Sequence, residues 1–81
     1  METTTRDKIN LLEKKLWLYN NTVYDLGVDA RAMKIVENKQ GEENIQKEIS
    51  KNLKIIDFLK EELSKEKTNI LKEVEENHQE V

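Results

Sequence analysis

The residues of this chain that could do chemistry are few. The 81 residues include no cysteine and one histidine, His78, so disulfides and thiolate metal sites are excluded. His78 stands among glutamates in an acidic C-terminal segment, where a solvated imidazole is expected. The carboxylates occur in charged runs such as Glu61-Glu62, not singly within apolar sequence as acid–base catalysis would favour. We therefore expect no enzyme, no metal site and no cofactor.

One small group of side chains could bind a ligand. Trp17, Tyr19, Tyr24 and Arg31 combine aromatic rings with a guanidinium, and such groups can stack on a nucleobase. No glycine-rich phosphate loop accompanies them, and Tyr19 belongs to the apolar repeat described next. A small-ligand, nucleotide-type site at an oligomer interface is therefore an alternative, not the favoured interpretation.

The apolar residues are spaced three and four apart in the first half of the chain and seven apart in much of the second. This heptad repeat predicts helices that pack on helices along a seam. The predicted seam consists of Ile9, Leu12, Leu16, Tyr19, Val23, Leu26, Met33, Ile49, Ile56, Leu59, Leu63 and Ile70.

The breaks in this repeat predict the fold. Thr4 followed by Asp7 resembles a capping box at the start of the first helix. Gly27 is expected to break or kink that helix, and Gly41 can adopt the left-handed conformation that ends one. The sequence therefore predicts an all-α, long antiparallel helical hairpin with coiled-coil-like packing, its first arm broken near Gly27 and its turn near Gly41. The alternative is a three-helix arrangement with a full turn at Gly27.

The chain forms one predicted domain, residues 1–81. Residues 1–5 are expected to be a leader, and the acidic tail, residues 75–81, to fray because negative charge at a helix C-terminus opposes the helix dipole. With Gly41 at the centre of the hairpin, facing residue numbers add up to about 82, which places Tyr19 opposite Leu63. A continuous second stripe includes Leu53 and Val74, and Asn52 lies near it, where a polar residue could fix the register.

Six large side chains remain outside the seam, on more than one side of the helices. A single partner helix cannot cover them, so they predict an oligomer interface, with two hairpins forming a four-helix bundle, or a docking surface for another protein. These residues are Leu11, Trp17, Leu18, Tyr24, Ile55 and Phe58.

The charge distribution narrows the class of partner. Charged residues make up 38% of the chain and the net charge is −3, with no dominant basic face, so nucleic acid is not an expected partner. No apolar run is long enough to span a membrane, and we expect a cytoplasmic protein. Abundant Lys, Asn, Ile and Glu are typical of AT-rich genomes, including those of phages and mobile elements.

The expected function is a non-enzymatic interaction module that regulates or inhibits a protein partner. Itself, as a homodimer, and a host or cellular protein are the expected partners. A structural subunit of a homo-oligomer is the alternative.

The seam generates a first prediction. Leu63→Asp should unfold the protein, because an unpaired carboxylate in the seam costs several kcal/mol. Glu75→Ala, in the acidic tail, should leave the melting temperature unchanged. Circular dichroism melts of both variants test this; equal midpoints would show that residue 63 does not lie in the seam.

Overall fold

The computed structural model describes residues 3–79 of the chain and the side chains of residues 3–74. Two helices, α1 (Thr5–Ile35) and α2 (Lys39–Gln79), pack against each other in antiparallel directions, with overall dimensions of 67 × 19 × 18 Å. No strand is present among the described residues. The predicted all-α helical hairpin is confirmed. The fraying predicted for the acidic tail, residues 75–81, stays a prediction: the backbone of α2 is described as far as Gln79, and residues 80–81 lie outside the described residues.

α1 begins where the sequence places its cap. Thr4 has an extended backbone, and its hydroxyl accepts a hydrogen bond of 3.1 Å from the backbone N–H of Asp7. This bond satisfies one of the N–H groups that the first turn of a helix leaves without a partner. Thr5 is already helical, so the helix reaches into the expected leader.

The predicted break at Gly27 is wrong, because α1 continues through this residue without interruption. A glycine inside a helix costs about 1 kcal/mol relative to alanine, which is too little to end a helix that is packed along its length. The seam supplies that packing: Leu26, Ala30 and Met33 continue the three-and-four spacing past Gly27, and Ala30 is buried. The three-helix alternative is therefore also excluded.

The predicted turn at Gly41 is also misplaced. The turn comprises residues 36–38, and Glu37, not a glycine, adopts the left-handed conformation with φ 57°. The N–H groups of Glu37 and Asn38 donate to the carbonyls of Lys34 and Met33 at 3.2 and 2.9 Å. This pair of bonds is a Schellman motif, which ends a helix by satisfying its last carbonyls.

Asn38 then caps the N-terminus of α2. Its side-chain oxygen accepts a 2.9 Å hydrogen bond from the N–H of Gly41, and its carbonyl accepts one of 3.0 Å from Glu42. Gly41 therefore lies in the first turn of α2. A Cβ at this residue would come within 2.9 Å of the Asn38 amide nitrogen and of the Met33 sulfur, so a larger residue here would force these side chains to shift.

The register of the two helices follows from the turn. At the turn, Ile35 and Lys39 flank the loop, and at the far end the Thr5 hydroxyl donates a 2.7 Å hydrogen bond to the Glu73 carboxylate. Facing residue numbers therefore add up to about 74–78, not 82, and Leu63 is level with residues 11–15 of α1 rather than with Tyr19. The same stripes still face each other, because a shift of four to eight residues is about one to two helical turns.

The seam itself is thin. All twelve residues of the predicted seam are buried or half-buried, but only Ile56 and Leu59 among them fall to 3% and 5% exposure. Asn52 is also buried, at 8%, in a place that the sequence stripe gave to Leu53, which is exposed. The Asn52 amide donates to the carbonyl of Glu48 at 2.8 Å, so its polar group is satisfied within its own helix.

The two glycines generate a matched prediction. Gly27→Ala should raise the free energy of unfolding by about 1 kcal/mol, because alanine is the better helix former and its Cβ would meet nothing within 4 Å. Gly41→Ala should give no gain, because its Cβ displaces the capping side chain of Asn38. Urea unfolding of both variants at one protein concentration measures the difference; an equal gain at the two positions would contradict the geometry of the turn.

Candidate interaction surfaces

The hairpin exposes a large amount of apolar surface on either side of the seam. In heptad notation, with a and d in the seam, the e positions of both antiparallel helices border one side and the g positions border the other. The large apolar side chains exposed among the described residues are Leu11, Trp17, Leu18, Tyr24, Val28, Ile35, Val36, Leu53, Ile55, Phe58, Leu71 and Val74. Many of them fall into two groups on opposite flanks.

The first group, which we call the Trp17 flank, lies on the e side. It consists of Trp17, Tyr24 and Leu53, with Gly27 between them. Trp17 and Tyr24 are 65% and 69% exposed and lie one heptad apart, about 130° from the seam centre on a helical wheel. Leu53 comes from α2 and directly follows the seam residue Asn52. Two large aromatic rings therefore project side by side from α1.

The second group, which we call the Leu18 flank, lies on the g side. It consists of Leu11 and Leu18 from α1 and of Ile55 and Phe58 from α2, and all four are exposed. The register places Phe58 within about two residues of the level of Leu18, or roughly 3 Å along the axis.

A shallow depression adjoins the Leu18 flank. It has a volume of about 250 Å³ and is lined by Lys15, Leu18, Tyr19 and Thr22. The side chains that line it all belong to α1, so this flank is an open apolar surface to which both helices contribute exposed groups.

The six predicted interface residues are thus all exposed, and the structure divides them into two surfaces: Trp17 and Tyr24 on one, and Leu11, Leu18, Ile55 and Phe58 on the other. Their role as an interface stays a prediction. Leu53 is a flank residue that the sequence stripe wrongly placed in the seam. The heptad count could have identified it, since Ile56, Leu59 and Leu63 are spaced three and then four apart, and the same phase one heptad earlier puts residue 52 in the seam.

The aromatic residues do not converge on a ligand site. Tyr19 is half-buried in the seam, about 160° around the helix from Trp17. Arg31 lies on the same stripe as Trp17 and Tyr24 and, like them, is exposed. No two of the rings face each other across a cleft that could hold a base, so the nucleotide alternative has little geometric support.

Other chemistry is equally sparse in the described part of the chain. It contains no group of three or more acidic, histidine or cysteine residues that could hold a metal ion. Its salt bridges, Glu48–Lys51 at 3.8 Å and Glu62–Lys65 at 3.3 Å, are local and exposed, and such pairs contribute at most about 1 kcal/mol. Neither helix has, within the residues searched, a stretch apolar enough to cross a membrane.

Comparisons with known proteins give no family for this chain: no family model, no curated protein and no solved structure matches it. The hairpin and its two flanks are therefore the features from which a function can be inferred.

Two neighbouring residues of α2 test the division between seam and flank. Ile56→Ala should lower the free energy of unfolding by about 2–4 kcal/mol, as for other buried isoleucines, because Ile56 is 3% exposed. Phe58→Ala removes a larger side chain but should cost far less, because Phe58 is 57% exposed. Denaturant titration of both variants gives the comparison; a greater loss for Phe58 would mean that this ring is already buried against another molecule.

Proposed function

We propose that this chain is a non-enzymatic, cytoplasmic protein-interaction module that regulates or inhibits a partner protein by binding it through the Leu18 flank. The observation that carries the proposal is the presence of two separate apolar flanks on opposite sides of one seam. Contiguous exposed apolar surface on a small soluble protein marks a contact site. Self-association through a single face requires only one such surface, so the second surface is available for another protein.

The Leu18 flank suits a heterologous partner because of its composition. Leu11, Leu18, Ile55 and Phe58 present aliphatic and aromatic groups from both helices, and the depression lined by Lys15 and Thr22 lies between the flank and the seam. An exposed apolar surface of this kind can pack against the apolar stripe of an amphipathic helix, whose residues repeat three and four apart. We therefore favour a helical segment of the partner protein as the bound element.

Charged residues frame this flank and would orient such a helix. Lys15 lies beside Leu18, and the Glu62–Lys65 pair of 3.3 Å lies one turn beyond Phe58. A polar rim around an apolar centre is the usual arrangement of a protein interface. Binding of this kind would block or reorient the partner's helix, which is a direct route to inhibition.

The test uses the immobilised chain in extracts of a bacterium with an AT-rich genome. Wild type should retain one heterologous protein in stoichiometric amount. Leu11→Lys with Leu18→Lys should lose it, because two lysines, one heptad apart, disrupt the apolar flank while preserving helix propensity. The matched control, Trp17→Lys with Tyr24→Lys, makes the same change on the other flank, about 100° around α1, and should still retain the partner.

The retained protein, once identified, is then assayed with and without the purified chain. Loss or change of its activity at equimolar addition would support regulation. If wild type retains no other protein, or if both double variants retain it equally, the Leu18 flank is not a partner site and a structural, self-assembling role is the better interpretation.

A further inference from the structure

The exposed area of the single hairpin exceeds what a chain of this size normally leaves in water. Its accessible surface is 6847 Å², whereas a compact monomer of 9.6 kDa exposes about 5,100 Å². A standard interface buries about 800 Å² on each partner. One contact with a second copy along α1, which has 31 residues and is about 46 Å long, would remove part of this excess.

The side of α1 that carries Trp17 and Tyr24 has a symmetric arrangement. Its central stripe is Asn10, Trp17, Tyr24 and Arg31, each one heptad from the next and all exposed. The midpoint between Trp17 and Tyr24 falls between Asn20 and Asn21, which is also the middle of α1, residues Thr5–Ile35. Two α1 helices that cross antiparallel at this point therefore overlap along their whole length.

In that arrangement, residues whose numbers add up to about 41 are level with each other. Trp17 packs beside Tyr24 of the second copy, and Asn10 lies level with Arg31 of the second copy. The same contact is repeated on the other side of the two-fold axis, as an isologous interface requires. Aromatic pairs of this kind contribute about 0.5–1.5 kcal/mol beyond the area they bury.

The amides at the centre suit a two-fold axis. Asn20 and Asn21 lie next to it and can each approach their own counterpart, and an amide both donates and accepts hydrogen bonds. Asn21 donates to the carbonyl of Trp17 at 2.9 Å, which uses one of its two side-chain N–H groups, and its side-chain oxygen can still accept a hydrogen bond.

Charge favours the antiparallel direction over the parallel one. A parallel pair in register would set Glu13, Lys14 and Arg31 each against its own copy. The antiparallel pair instead sets Lys14 level with Gly27 and Glu13 level with Val28, one helical turn from Arg31 of the second copy. Arg6 and Lys34 meet only at the outer ends, where Asp7 is level with Lys34 and both long side chains reach water.

We propose that two copies of this chain associate through the Trp17 flank, with their α1 helices antiparallel and the two-fold axis between Asn20 and Asn21. The dimer is a four-helix assembly that leaves both Leu18 flanks facing outward. The proposal goes beyond the proposed function, which uses the opposite flank, and either one can fail without the other.

Mass in solution provides the first test. Light scattering at micromolar concentration should give twice 9.6 kDa for wild type and a single chain for Trp17→Lys with Tyr24→Lys. The matched control, Leu11→Lys with Leu18→Lys, should keep the double mass. Emission of Trp17, the single tryptophan, should shift to shorter wavelength as wild type is concentrated, which tests burial of this ring without any substitution.

The axis is tested by oxidation of single cysteines in a chain that has none of its own. Asn21→Cys should form a disulfide-linked dimer, because residues at the axis come within the roughly 7 Å between Cα atoms that a disulfide tolerates. Thr22→Cys points toward the other flank and should not cross-link.

Three results would overturn the proposal. A wild-type monomer would exclude the dimer, and a dimer that dissociates on dilution with no change in Trp17 emission would exclude this flank. Monomers from the Leu11 and Leu18 variant alone would assign the self-contact to the opposite flank. If the variant with Trp17→Lys and Tyr24→Lys fails to fold, the emission of Trp17 in wild type and the comparison of Asn21→Cys with Thr22→Cys still test the proposal.

Discussion

Two helices can cover only one stripe of each other's surface, and the other properties of this hairpin depend on that constraint. A seam one layer thick buries Ile56 and Leu59 near the middle of α2 but leaves seam residues toward both ends half-buried. It also leaves Trp17 and Phe58 in contact with water. A chain this small has few ways to gain stability except by burying such surface against another molecule. The fold and the exposure of these side chains therefore have the same cause.

The seam was predictable from sequence because its residues differ in type from their neighbours and repeat with the period of a helix. The ends of the helices were harder to place, since Gly27 and Gly41 are the obvious breakers and neither ends a helix. Glycine at 27 occupies open space on a flank, whereas glycine at 41 makes room for the Asn38 cap. Glu37 adopts the left-handed conformation, although glutamate is not a residue type that predicts it. The turn is instead defined by the hydrogen bonds from the N–H groups of Glu37 and Asn38 to the carbonyls of Lys34 and Met33.

The register could not be read from the seam for a related reason. Shifting α2 along α1 by one or two helical turns brings the same stripe against α1, so apolar residues match almost equally well in each register. Asn52, the polar residue that the sequence offered to fix the register, bonds to Glu48 in its own helix, so its amide does not select a register. The division of the exposed residues into two flanks was likewise visible in the helical wheel of α1, but the side to which Leu53 belongs depended on the heptad count in α2.

The near equivalence of neighbouring registers has an evolutionary consequence. Insertions and deletions are tolerated most easily in turns, and a change of turn length near Glu37 would slide α2 along α1 by about 5.4 Å, one helical turn, while keeping apolar residues opposed. Phe58 and Ile55 would then stand beside a different set of α1 side chains. A new combination of exposed side chains could therefore arise with no substitution in the surface itself.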